Sequence, residues 1–326
     1  VPRPESAPSP LSAAAWRLRL LDLSDREASF ERRRFRAAAS SARARLEGIG
    51  RTFLAGYRSA LRDPDPAPLA RSLEGIEPED RGFAYEGAAM ALGLLDLLVP
   101  WGFGRFQRFL QGPGRTHVHL VHVGAGWALA RVPLRRGALL RGLDPLLRWL
   151  AFDGVGFHQG YFHHRRAIGR RTRPGWLSGY ALRAFDQGLG RSLWFVEGAH
   201  VPAIAAAIAR FEPARRADLW SGVGLASAYA GGAEECGLAP LRDAAGEHLA
   251  AAAQGAAFAA AARRRAGLPA AGHTDRVCRL LCGRSAAEAA AVTEEALAGL
   301  TAAGDATPPY EEWRQRIQAR FAGARS

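Results

Sequence analysis

Glycine pairs of the form G-x-G recur in this chain at Gly154/Gly156, Gly188/Gly190 and Gly222/Gly224, each pair 34 residues after the last. A degenerate copy, QGAAF, puts Gly255 33 residues beyond Gly222. Each copy leads into an aromatic or aliphatic run: GFHQGYF, GRSLWFVEGA, GLASAYAGG and GAAFAAAARRRAG, with an earlier cousin, GFAYEGAAMALG, from Gly82. A period near 34 suits a helix–turn–helix unit stacked as a solenoid. Glycine lets neighbouring helices approach, and the aromatic fills the groove between them. A dinucleotide-binding G-x-G would follow a Val/Ile-rich strand. These glycines recur at an interval and follow helical patterns, which excludes that loop.

Helix punctuation runs along the rest. Ser24 with Glu27 makes a capping-box pattern, and a helical run extends from there to about Leu61. DPDPAP, residues 63–68, is a break. Pro78, beside Glu79 and Asp80, opens a helix with Phe83, Gly87, Ala91, Leu94 and Leu98 on one stripe, ended by Pro100. Asp144-Pro145 starts another, Glu212-Pro213 one that stops at Gly231-Gly232, and Ser285 with Glu288 is a second capping box. Only HVHLVHV, residues 117–123, alternates like a strand. The expected fold is all-α: stacked helical hairpins, solenoid-like, with a period of about 34 residues. Residues 1–20 read as a disordered or extended terminus, 21–75 as an N-terminal helical segment, and 76–326 as one helical-repeat unit.

A net charge of +13 would ordinarily suggest nucleic acid. Here all 44 basic residues are Arg, and Lys and Asn, whose codons are A/T-rich, are absent. Genome composition accounts for the excess, and no nucleic-acid partner is expected. Hydrophobic residues at 48% supply a sizeable core. Cys236, Cys278 and Cys282 are too few for a disulfide framework. With His273, the last two offer at most three metal ligands where a structural site wants four, so buried thiols are expected and no metal. VPRPESAPSP lacks the basic start and apolar stretch of a signal peptide, and no window is apolar for long enough to span a bilayer. The expectation is a soluble cytoplasmic protein with no transmembrane segment.

Carboxylates and histidines supply the candidate chemistry. Glu86 in FAYEGAAM and Glu197 in LWFVEGAH share a setting, an aromatic upstream and Gly-Ala after. Glu86 shares a helix face with Gly82, Ala89, Met90 and Gly93, so it is desolvated with a raised pKa, or else paired. Its readings are a carboxylate bonded to the next turn, or a general acid or base facing an apolar cavity. In AFDGVGFHQGYFHHRR, Asp153 ends an apolar helix, and Gly154 and Gly156 allow a turn that brings His158 back to it. Asp153 would then orient His158 and raise its pKa, with Phe157 and Tyr161 as an apolar wall. His163 and His164 lie about 140° and 240° around a helix from His158, too divergent for a metal site. Trp194, Trp220 and Tyr229 are the further candidate substrate contacts.

Five motifs, RGFAYEGAAMAL, LAFDGVGFHQGYF, GLGRSLWFVEGA, DLWSGVGLASAYAGG and YEEWRQRIQ, occur in the order of a bacterial family, and the chain resembles it from about residue 20 to 320. This is the domain of unknown function 1702 family, often encoded in actinobacterial gene clusters for enediyne polyketides. The resemblance implies an apolar polyene or polyketide-derived substrate, but it carries no mechanism or catalytic residues. Joined to the residue reading, it leads to an expected role in enediyne-type polyketide biosynthesis, as a cofactor-independent isomerase, cyclase or hydratase. The alternative is a non-catalytic protein that holds an intermediate or docks other biosynthetic enzymes.

Overall fold

The computed structural model describes residues 13–99, 104–300 and 307–323. Every regular element among them is helical. The long helices are α1 (Ser40–Arg62), α2 (Pro78–Leu98), α3 (Val118–Arg131), α4 (Trp149–His164), α5 (Tyr180–Val196), α6 (Pro213–Ala230), α7 (Leu249–Arg265) and α8 (Pro309–Ala322). Pro78, Pro213 and Pro309 each occupy a first helical turn, where the missing N–H costs nothing. Gly231, with φ +67°, ends α6. Ser285 and Glu288 form the reciprocal capping box at the start of Ala286–Glu295.

Other punctuation reads differently in three dimensions. Ser24 caps only a 3₁₀ turn, Asp25–Ala28, through Arg26 N–H, and the long helix begins at Ser40. The terminal stretch, expected to be disordered or extended, is helical over Ala13–Leu21, while residues 1–12 lie outside the described residues. HVHLVHV is not a strand: from Val118 it is the first turns of α3, where burial on several sides permits an apolar run. Asp144 Oδ1 accepts from the N–H groups of Leu146 and Leu147, a turn before α4 starts at Trp149.

Helices α1 to α7 pack in chain order, each against the next. They run parallel. Between α5 and α6, Arg183 meets Asp218 near the start of both helices, and Trp194 Nε1 donates to Gly231 O at their ends. The α4–α5 pair repeats this, with Trp149 beside Tyr180 and Tyr161 beside Phe195. Parallel neighbours need a return segment, so the stacked unit is one long helix plus a return, some containing short helices such as Val201–Ala209, rather than a helical hairpin.

The paired glycines lie inside these helices and are their contact points. A methyl on Gly188 would lie 1.7 Å from Asp153 O in α4, and one on Gly190 2.0 Å from Leu219 O in α6. The first glycine of each pair meets the preceding helix and the second the following one. The rule holds for Gly154/Gly156, Gly222/Gly224 and a pair that the sequence reading passed over, Gly124/Gly126. Gly124 precedes Gly154 by only 30 residues, so no single period governs the chain. Backbones this close leave no room for side chains at the crossing, which offsets the low helix propensity of glycine.

The stack curls until its end meets its beginning. Arg45 of α1 donates to Ala230 O at the end of α6, Arg263 of α7 donates to Glu79 O at the start of α2, and Phe83 meets Tyr229 edge-on. Segment 22–39 covers one side of the interior, with Arg36 N–H on Val196 O and Tyr161 OH on Glu27 O. Helix α8 covers another, through Arg314 to Gln254 and Tyr310 to Gln187. Two helix junctions share one device. In IEPEDR and FEPARR, Arg81 and Arg216 reach back to carbonyls five and seven residues earlier, capping the helix before.

Candidate active site

Side chains face the interior of the curl in register with the glycines. One residue after the second glycine stand Trp127, Phe157, Arg191 and Leu225, and each lines a cavity. One turn further on, Tyr161, Phe195 and Tyr229 do the same. The residue before the first glycine forms a mostly polar row: Glu86 (before Gly87), Asp153, Gln187, Ser221 and Gln254, all buried. Within this row Gln187 Nε2 donates to Asp153 Oδ2 at 3.0 Å and Ser221 Oγ to Gln254 Oε1 at 2.9 Å. The spacings i and i+4 put these rows on one helix face.

Two narrow cavities stand out in the interior formed by the described residues. The first, with about 650 Å³ between its walls counting its mouth, is apolar, walled by Phe53, Phe83, Trp127, Phe157, Tyr161 and Phe195. The second, about 530 Å³ between its walls and again counting its mouth, lies among Leu120, Leu150, Phe258, Tyr310 and Trp313. Arg191, Leu225 and Tyr229 line both and stand at their junction.

Glu86 sits in the wall of the first cavity, 3% exposed. Its Oε1 accepts the Trp127 indole N–H at 2.9 Å, and no hydrogen bond joins Oε2 to another described residue. Burial pushes its carboxyl up to about 7, against the pull of Arg191 and of the Trp127 N–H. Arg191 is buried against the face of Phe157 and donates through Nη1 to Asp153. Although burial disfavours its charge, Asp153 and Glu86 hold its pKa above the ordinary guanidinium value. A carboxyl near neutrality in an apolar cavity can give or take a proton at physiological pH.

A family model described as a protein of unknown function, DUF1702, matches residues 12–321. The chain belongs to this family. No curated protein and no solved structure matches it.

Of the residues that sequence reading singled out in this DUF1702 member, the structure gathers five around the cavities: Glu86, Asp153, Phe157, Tyr161 and Tyr229. The expected Asp153–His158 bond is not formed. The glycines between them lie within one continuous helix, so no turn folds His158 back. Asp153 bonds Gln187 and Arg191, while His158 Nε2 accepts from Arg131 at 3.4 Å and its pKa is lowered, by burial and then by Arg131, rather than raised. Glu197 lies outside both cavities: it is the residue after α5, ion-paired with Arg36 at 2.9 Å. Trp194 and Trp220 are buried but line neither cavity.

Cys278 and Cys282 are buried, with their thiols on Ala256 O and Ala253 O, and His273 lies on Tyr229 O. Sequence reasoning missed Arg191, Trp127 and Gln187. Their signal was register with the glycine pairs.

Proposed function

We propose that this protein takes an apolar, conjugated small molecule into the first cavity and moves a proton on it through Glu86. The observation that carries the reading is a carboxyl with a pKa raised to about 7 by burial, set among aromatic walls and with no acidic or basic partner in direct contact among the described residues. The chemistry open to such a group without a cofactor is isomerisation, cyclisation or hydration. Resemblance to a family found in enediyne polyketide gene clusters supports a polyene or polyketide intermediate as the substrate class. Under this reading the protein is a biosynthetic acid/base catalyst, and its aromatic walls hold the conjugated chain by area and ring contact.

The test is deletion of the gene in a producing strain, followed by mass analysis of what accumulates. Complementation with wild type restores the mature product. Complementation with Glu86→Gln, which keeps the shape and removes the titrating group, leaves the intermediate in place and lowers product about a hundredfold. Full restoration by Glu86→Gln would overturn acid/base catalysis and leave a protein that only holds the intermediate or docks its partners.

A further inference from the structure

The junction of the two cavities holds two buried polar atoms, Arg191 Nε and the Tyr229 hydroxyl, that have no hydrogen-bond partner among the described residues. Arg191 is 5% exposed and Tyr229 3%, and each lines both cavities. Arg191 Nε can only donate, and a phenol is a far better donor than acceptor. Leaving such groups unsatisfied costs stability, so a fold that buries both at one junction suits a ligand that brings an acceptor. Tyr229 is also placed with respect to Glu86. A methyl on Gly82 would lie 2.1 Å from the Tyr229 oxygen, so the hydroxyl fills the space that a side chain at Gly82 would take. Gly82 is one helical turn before Glu86, on the same face of α2.

We infer that the junction is a carbonyl-binding subsite. The ligand is an apolar conjugated ketone, aldehyde or thioester whose arms extend into both cavities, with the carbonyl oxygen accepting from Tyr229 O–H and Arg191 N–H. This rests on the reading of Glu86 given above and names its substrate class. The step is a proton transfer. The Glu86 carboxylate takes a proton from the carbon beside the carbonyl, and the C–H electron pair becomes a C=C bond. The carbonyl π pair moves onto oxygen, where the two donors hold it as an enolate. Glu86 then returns the proton, either to the same carbon or to the far end of the conjugated system. Nothing is oxidised or reduced, and no co-reactant enters.

Two probes test this: β-ionone, a conjugated methyl ketone, and diphenylhexatriene, a conjugated hydrocarbon that fluoresces in apolar sites. The full-length protein should bind both, and the ultraviolet band of β-ionone should shift to the red as donors polarise its carbonyl. In D₂O the methyl hydrogens of bound β-ionone should exchange for deuterium, read by mass. Tyr229→Phe, which removes only an unpartnered hydroxyl, should keep hydrocarbon binding, lose much of the red shift and slow exchange by roughly a hundredfold. Arg191→Lys, checked for folding by circular dichroism, should weaken the shift as well. Glu86→Gln should keep the shift and lose the exchange. An unshifted β-ionone band, or an equal shift in wild type and Tyr229→Phe, overturns the carbonyl subsite while the apolar-cavity reading stands. Binding of neither probe overturns both. A shift without Glu86-dependent exchange overturns the proton step alone.

Discussion

Glu86 and Glu197 show how one local pattern takes two roles. Both have an aromatic upstream and Gly-Ala after, but Gly87 lies inside α2 against Phe53 O, whereas Gly198, with φ +60°, lies in the turn two residues past the end of α5. A glycine that packs a helix buries its neighbour, and a glycine that ends one leaves it at the surface. The burial of Glu86 has a thermodynamic signature. Its carboxyl, ordinarily near 4.5, is held at about 7 in the fold, so the folded state binds the proton more tightly than the unfolded. The stabilisation from that proton is fully present below pH 4.5 and is lost as pH rises through 7, amounting to about 3 kcal/mol. Glu86→Gln should lack this decline, so in urea denaturation the change in stability from pH 5 to pH 8 should be less favourable for wild type than for the variant, by about 2 kcal/mol. Equal changes in the two proteins would mean that the carboxylate is already paired in the fold. Arg191 went unnoticed for a compositional reason: among 44 arginines one more carries no signal by type, and only its place after Gly190 marks it.

At the scale of helices, the all-α class and most helix boundaries were legible because prolines, capping serines and glycines act locally. Parallel packing was not, since a G-x-G spacing reads the same whether the next helix runs up or down. What decides it is the pairing of Asp153 with Gln187 and of Gly160 with Ser192 across α4 and α5, which depends on contacts between distant residues. The glycine contacts predict an inverted substitution rule. Alanine in place of a mid-helix glycine normally stabilises by about 1 kcal/mol. At Gly188 the added methyl would sit 1.7 Å from the Asp153 carbonyl oxygen and would force α4 and α5 apart. Gly188→Ala should therefore destabilise by about 2 kcal/mol in chemical denaturation, the cost of overpacking. A stabilised variant would show that the two backbones have room to spare.

For the whole molecule, the histidines set the acid limit. Burial lowers the pKa of seven of the nine, among them His117 and His273 to about 4 and His119 to about 3. The unfolded chain takes up these protons near pH 6.5 and the fold does not, so their contribution is intact above that pH and is lost as it falls towards 4. Glu86 acts in the opposite sense but is one group against seven. The melting temperature should drop between pH 7 and pH 4.5, and a flat profile there would mean that the histidines are solvated. The polar row and the two cavities were only partly legible, because they belong to the closed curl and to no single motif. That curl also separates container from contents. The glycines that join neighbouring helices look sideways along the wall, while Phe157, Arg191, Leu225 and Tyr229 look inward from other positions on the same helices. The interior can thus be refurnished, one side chain at a time, without loosening a single joint.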